Sequence, residues 1–296
     1  MSGTTMIVRL PIPLTLAASA LLLACCGGRQ PGHPASARAT TASPAATATS
    51  GTPLAATTAP SPASPSPSQS LPPTTAQTAP AARPPTPVQR LTLGRSLQGR
   101  PITAVEFGDP GAERKLVVVG CIHGNEPAGI AIARQLERLA PPAGTDVWVI
   151  ENLNPDGVAA NTRQNAGGVD LNRNFSYGWQ PLESPGALMY SGPGSLSEPE
   201  SRLAVDFLTK VRPTVSIWYH QHLDLVDLSG GDASLEQRYA AMVGLKTEQL
   251  QRYPGSATSW ENHAFPGSTA FVVELPAGSL SDAAANRYAA AALKIL

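Results

Sequence analysis

The sequence predicts an α/β domain with a mixed, largely parallel sheet flanked by helices. Three observations carry that expectation. From residue 89 onward, short apolar runs rich in β-branched residues alternate with longer segments of helical period. Polar residues of the types that do chemistry stand at the carboxyl ends of those runs, the edge where open α/β sheets form their sites. The stretch is also long enough, at about 200 residues, for one domain with a sizeable core.

The elements follow in chain order. Residues 100–107 read as an early edge strand. Residues 115–121, Lys-Leu-Val-Val-Val-Gly-Cys, read as a buried strand. A helix follows over 126–139, with Pro127 in its first turn and Ile130, Ala133 and Leu136 at helical spacing. Residues 146–151 form a second short apolar strand. The helix over 197–211 opens Ser197-Glu198-Pro199-Glu200, a hydroxyl cap with acids in the first turn. A strand over 214–219, a helix over 233–244, a strand over 270–273 and an Ala-rich helix over 280–293 complete the alternation. Residues 152–180 differ, being rich in Asn, Gly and Arg with no clear period. A long irregular loop in a compact domain is usually functional.

The chain divides into three parts. In the first, residues 1–26, Arg9 precedes an apolar run over 14–24 that is too short to span a membrane comfortably. It ends Leu22-Leu23-Ala24-Cys25, which resembles a bacterial lipobox and implies a signal peptide and a lipidated Cys25. Acyl chains on that cysteine would anchor the chain to the outer face of a membrane, at ~0.8 kcal/mol per buried CH₂. Residues 27–88 are almost all Pro, Ala, Thr and Ser, with no acidic residue. Such a segment cannot bury a core and is expected to be a disordered, polyproline-rich tether reaching on the order of 150–200 Å. The third part, residues 89–296, is the folded domain. It holds all 21 acidic residues and 17 of the 21 basic ones, because Arg9, Arg29, Arg38 and Arg83 precede it. Its net charge is therefore 17 − 21 = −4, which gives no case for nucleic acid as a partner. Of Cys25, Cys26 and Cys121, only Cys121 lies in the domain, so no disulfide framework exists there. Cys121 reads as a small buried apolar residue.

Residues 117–126 are the most informative stretch. An apolar run ends in a glycine turn that presents His123 and Glu126, one imidazole and one carboxylate for the same cation. Two ligands do not hold a catalytic zinc, so a third ligand and a base are required elsewhere. His220 follows the apolar Ile217-Trp218-Tyr219, and Glu274 follows Phe271-Val272-Val273. If these strands are parallel neighbours, His220 is the third ligand and Glu274 the base.

The full ordered set is specific. His123-Gly124-Asn125-Glu126, Asn154-Pro155-Asp156-Gly157, Arg163, Asp170-Leu171-Asn172-Arg173-Asn174-Phe175, Ser197-Glu198-Pro199-Glu200, His220 and Glu274 resemble the zinc carboxypeptidase family in the order that family shows. The ending Phe265-Pro266-Gly267 to Glu274-Leu275-Pro276 is most similar to its bacterial murein peptide amidase branch. The resemblance covers essentially all of 89–296. It implies the carboxypeptidase fold and one zinc held by His123, Glu126 and His220. It implies Glu274 as general base and Arg163 facing the oxyanion. Asn172 and Arg173 would bind a substrate carboxylate, and Asp170 would orient His123. His222 stands where relatives usually have proline. Alternation along the strand places it on the face of His220, so it stays as a substrate contact or alternate ligand. Tyr253 is the candidate for the tyrosine that carboxypeptidases place upstream of the glutamate, and residues 259–263 are an equal candidate to line the pocket. His263 reads as a loop residue, and Tyr177 and Trp179 as a rim for substrate or a brace for their loop. The expected protein is a monomeric peptidase of the cell envelope that cleaves cell-wall peptides. A general metallocarboxypeptidase, an N-acyl amino acid deacylase and a non-catalytic wall-binding lipoprotein are the alternatives.

Overall fold

One eight-stranded sheet runs through residues 89–296, the residues that this computed structural model describes. The expected signal peptide, lipobox and tether lie outside them. The strands are β1 (Gln89–Arg95), β2 (Pro101–Gly108), β3 (Arg114–Val119), β4 (Thr145–Ile150), β5 (Val215–Gln221), β6 (Leu225–Asp227), β7 (Lys246–Glu248) and β8 (Thr269–Leu275). The helices are α1 (Gly129–Leu136), α2 (Pro155–Ala160), α3 (Pro199–Val211), α4 (Ala233–Val243), α5 (Ala257–Ala264) and α6 (Asp282–Lys294). Strand order is β1-β2-β4-β3-β5-β8-β6-β7. The centre, from β4 through β3 and β5 to β8, is parallel, and antiparallel pairs join β1 to β2, β2 to β4 and β6 to β8. The sheet is therefore mixed and mostly parallel, as the alternation of elements predicts.

The two faces of the sheet bury two cores, and the period of two along each strand divides them. Leu116 and Val118, with Ile217, Tyr219, Phe271 and Val273, pack against α1, α4 and α6. Val117 and Val119, with Trp218 and Val272, pack against α3 and α5. His220 and Glu274 continue the second set, so the chemistry lies on the α3/α5 side. Among the described residues no helix is long and apolar enough to cross a membrane.

Several boundaries differ from the sequence expectation. The edge strand expected over 100–107 is β2, and β1 covers it and takes the edge itself. The exposed β1 lacks the alternation that marks a half-buried strand. The helix expected from 126 begins at Gly129, because Glu126 belongs to a tight turn. Ser197 does not cap α3: its hydroxyl donates to Glu198 Oε1 (2.8 Å), and Glu198 holds the cap position without a side-chain bond. The long loop contains α2 and a single 3-10 turn over Leu171–Arg173. His263 lies in α5, not in a loop. Cys121 is free and buried, as expected.

Candidate metal centre and active site

His123 and Glu126 stand on a turn just past β3. The Glu126 N–H donates to the His123 carbonyl (2.9 Å), which closes the turn. Asn154 holds it from outside: its Nδ2 donates to the carbonyls of Ile122 (3.0 Å) and Arg163 (3.3 Å), and its Oδ1 accepts from Gly157 N–H (2.9 Å). This gives Asn154-Pro155-Asp156-Gly157 a local reason. The turn presses so closely on α2 that a Cβ at Gly124 would stand 1.9 Å from the Gly157 carbonyl carbon, so only glycine fits. On the neighbouring strands, His220 of β5 pairs in register with Glu274 of β8. Laterally paired residues stand about 4.8 Å apart and share a face.

Nδ1 of His123, Nδ1 of His220 and Oε2 of Glu126 converge at separations of 3.0, 3.1 and 3.1 Å. Among the described residues this is the cluster of His, Cys, Asp and Glu side chains placed to hold a metal ion. The donor set fits zinc. Ligands bonded to one zinc at about 2.0–2.1 Å stand about 3.3 Å apart in a tetrahedron. His123 Nε2 lies 3.0 Å from Asp170 Oδ1. An ionised carboxylate only accepts, so Nε2 carries the proton and the Nδ1 lone pair faces inward. His222 is exposed and lies beyond β5, which ends at Gln221, so strand alternation does not carry it to the cluster. A His220→Ala chain is expected to lose more than about 100-fold in zinc affinity, whereas His222→Ala keeps one zinc. Metal content after dialysis against a chelator decides this, and the opposite pattern would reverse the assignment.

Arg163 and Asp170 tie the centre together. Arg163 donates from Nη1 to Glu126 Oε1 (2.9 Å) and from Nε to Asp170 Oδ2 (2.9 Å). Burial pushes both carboxyls up in pKa. The charge and hydrogen bonding of His123 outweigh it in each and hold both well below the usual carboxylate range, with help from His220 at Glu126 and from Arg163 at Asp170. Asp170 Oδ1 also accepts from the Asn172 N–H (2.9 Å).

A cavity of about 320 Å³ opens from the centre and is lined by Asn172, Arg173, Tyr253, Thr258, Ser259 and Glu274, among others. Asn172 Oδ1 accepts from the Ala257 N–H at the start of α5 (2.9 Å), which directs the other side of its amide away from the helix. Arg173 is buried, with its guanidinium carbon 4.3 Å from the centroid of the Tyr253 ring. Burial draws its pKa down. Two buried polar atoms here, Arg173 Nε and Glu274 Oε2, have no hydrogen-bond partner. Groups left so are costly in a finished core and are what a binding site holds ready. The Tyr253 loop is pinned by Gly255, whose carbonyl accepts from Phe175 N–H (3.0 Å) and whose φ is +72°. A Cβ there would stand 2.3 Å from the Arg173 carbonyl oxygen.

The structure thus brings together His123, Glu126, Arg163, Asn172, Arg173, His220, Tyr253 and Glu274 around one cavity, with Asp170 behind His123. Of residues 259–263, Ser259 reaches the cavity, Glu261 turns into the core, and His263 stacks on Tyr177 with ring centroids 4.0 Å apart. Trp179 donates to the Ser191 carbonyl and braces its loop. Two lining groups have no sequence signal. Asp227 ends β6, a three-residue strand too short to show a period, and pairs with Val272 beside the site. Arg252 lies in an irregular segment.

These features define a zinc carboxypeptidase centre, and comparison with known proteins agrees. Residues 78–236, more than half of the chain, match the zinc carboxypeptidase family, peptidase M14, and the chain belongs to it. It is a zinc-dependent metallopeptidase. Murein peptide amidase A of Escherichia coli K12 is 29% identical over 181 residues, which cover 56% of this chain and 74% of that protein. The crystal structure of murein-tripeptide amidase from Escherichia coli O157 is 26% identical and superposes with a TM-score of 0.59, covering 71% of this chain and 92% of that one. Carboxypeptidase A from Helicoverpa armigera, at 17% identity and a TM-score of 0.62 over 70% of this chain and 67% of that one, shares the fold.

Proposed function

We propose that this chain is an extracytoplasmic hydrolase of an amide bond in cell-wall peptides. The observation that carries the reading is the mixed charge of the cavity. Arg173, Arg252 and Asp227 line it together beside the His-Glu-His cluster. A leaving residue with several charged groups suits such a lining, as a diamino dicarboxylic acid in a muropeptide does, and an apolar C-terminal side chain does not. The likeness to murein amidases supports the same choice. The lipobox-like Leu22-Leu23-Ala24-Cys25 supports lipid anchoring outside the cytoplasm, and the tether supports reach into the wall. The chain acts as a monomer in this reading.

His123, Glu126 and His220 hold the zinc, which when bound supplies a Lewis acid that makes water nucleophilic at neutral pH. Glu274 accepts the proton of the attacking water and returns it to the leaving amine. Its unpartnered Oε2 is free for that proton. Arg163 has two nitrogens committed to Glu126 and Asp170, so Nη2 is the group left for the developing oxyanion. Arg173 and the Asn172 amide hold a carboxylate of the leaving residue, and the Tyr253 ring fixes the guanidinium plane. Mass spectrometry of products from a defined muropeptide panel, with and without chelator, tests the reading. Cleavage of one amide bond that stops with chelator is expected. Chelator-insensitive cleavage, or cleavage of ordinary peptides alone, would overturn it.

A further inference from the structure

Gln221 is the last residue of β5, next to His220. The period of two turns its side chain to the other face of the sheet, toward α1, where its partner in register, Leu275, packs. The amide is fully used there. Its Oε1 accepts from the Ala128 N–H (3.0 Å), and its Nε2 donates to the carbonyls of Pro276 (2.9 Å) and Gly278 (2.7 Å). These partners are groups that local structure leaves open. Ala128 holds the cap position of α1 with no side-chain cap, and a helix start leaves its first N–H groups unpaired. Pro276 and Gly278 lie in the irregular segment between β8 and α6. One acceptor and two donors at this reach are what glutamine offers. An ionised glutamate has no proton to give, and asparagine is one methylene shorter. The places of the partners matter for the chemistry. Ala128 is two residues beyond Glu126, and Pro276 is two residues beyond Glu274. One amide therefore spans from the turn that carries a zinc ligand to the strand that carries the base. Gln221 borders the main cavity, but its donors are spent within the protein before a substrate arrives.

We infer that Gln221 is a positioning residue whose amide fixes the Glu274 carboxylate against the metal centre. This rests on Glu274 as the base in the reading above and on no particular substrate. The ladder between β5 and β8 ends at Gln221 and Leu275, one pair beyond His220 and Glu274. Past that pair the backbone no longer ties the base strand to its neighbour, and the Gln221 side chain carries the tie onward to Pro276 and Gly278. It also reaches the turn of Glu126, which the ladder does not. A proton passes between water and a carboxylate only within hydrogen-bond reach. Misplacement by about 1 Å is enough to cost about 100-fold in rate. Slack at Pro276 is transmitted to Glu274 over two residues of strand, so the amide acts on the rate through the base.

The test uses the zinc-loaded full chain and whichever amide the wild type cuts, a muropeptide or an ordinary peptide. Gln221→Met keeps the length of the side chain and removes its hydrogen bonds to Ala128, Pro276 and Gly278. It is expected to lower kcat by about 10- to 100-fold, to leave KM within about twofold, and to bind one zinc per chain as before. In a Glu274→Gln background the same change is expected to cost nothing further, because the group it positions is gone. Gln221→Glu keeps the contact to Ala128 and loses the two to the carbonyls. It is expected to lower kcat as well, and it carries the test if the Met variant does not fold. Wild-type kcat in Gln221→Glu would overturn the inference. So would a raised KM with unchanged kcat, which marks a substrate contact, or loss of zinc, which marks a role at the metal. An equal loss in both backgrounds would show that Gln221 acts elsewhere than through Glu274. Each of those results leaves Glu274 as the base. Wild-type turnover in Glu274→Gln alone would remove the base, and this inference with it.

Discussion

Replacing Glu274 by Gln is expected to lower kcat about 10³-fold, within the range general acid–base groups supply, while zinc content stays unchanged. The substitution keeps shape and removes only the capacity to take a proton. Glu274 is outside the His-Glu-His cluster, on the strand next to His220, with one oxygen buried and unpartnered. Its loss therefore leaves the cation site intact and the water without a base. Turnover and metal content measured on the same preparation make the test. A variant that keeps turnover would sink the assignment of Glu274, and one that loses zinc would make it a positioning group for the metal.

The second large effect concerns stability. Glu261 of α5 is buried against the floor of the site, where it pairs with the Ser216 hydroxyl and accepts from Trp218 Nε1 (3.0 Å). Burial pushes its carboxyl up to about 7, against a downward pull from those two hydrogen bonds and with no charged neighbour contributing. Between pH 4.5 and about 7 the folded chain keeps this proton while the unfolded chain releases it. Stability from Glu261 is thus complete below the unfolded value and falls as pH rises through that window. At 1.36 kcal/mol per unit, the loss is about 3 kcal/mol. Glu261→Gln supplies a neutral donor and acceptor at every pH. It is expected to flatten this part of the profile and to exceed wild type in stability above pH 7. Denaturant unfolding of the zinc-loaded proteins across that range is the measurement. Parallel profiles would show that Glu261 does not titrate there.

The strands that carry the site were legible because they are buried on both faces. A run such as Val117-Val118-Val119 has no other reading than strand or buried helix, and Gly120 settles which. The ligands His123, Glu126 and His220 were legible as residue types at strand ends, and the family resemblance ordered them. Asp227 and Arg252 were not, because their places depend on the antiparallel return of β6 beside β8 and on an irregular connection. Such pairings are set by tertiary packing and leave no local period. Asn154 was visible as part of a motif, but its partners, the carbonyls of Ile122 and Arg163, are remote in sequence. His222 was placed on the face of His220 by alternation, and the strand ends one residue too soon for that rule to apply.

Asp170 has a consequence beyond orientation of one ring. It receives His123 Nε2, Arg163 Nε and the Asn172 N–H on its side chain, and the Arg173 N–H on its carbonyl. One buried residue thus joins the groups that grip the cation to those that grip the substrate. Any anion that binds Arg173 and Asn172 more tightly in the zinc form must, by thermodynamic reciprocity, raise the affinity for zinc the same number of fold. The chain's hold on its metal is then a property of what occupies the cleft, and a product-like carboxylate in the surroundings would protect the enzyme against chelation.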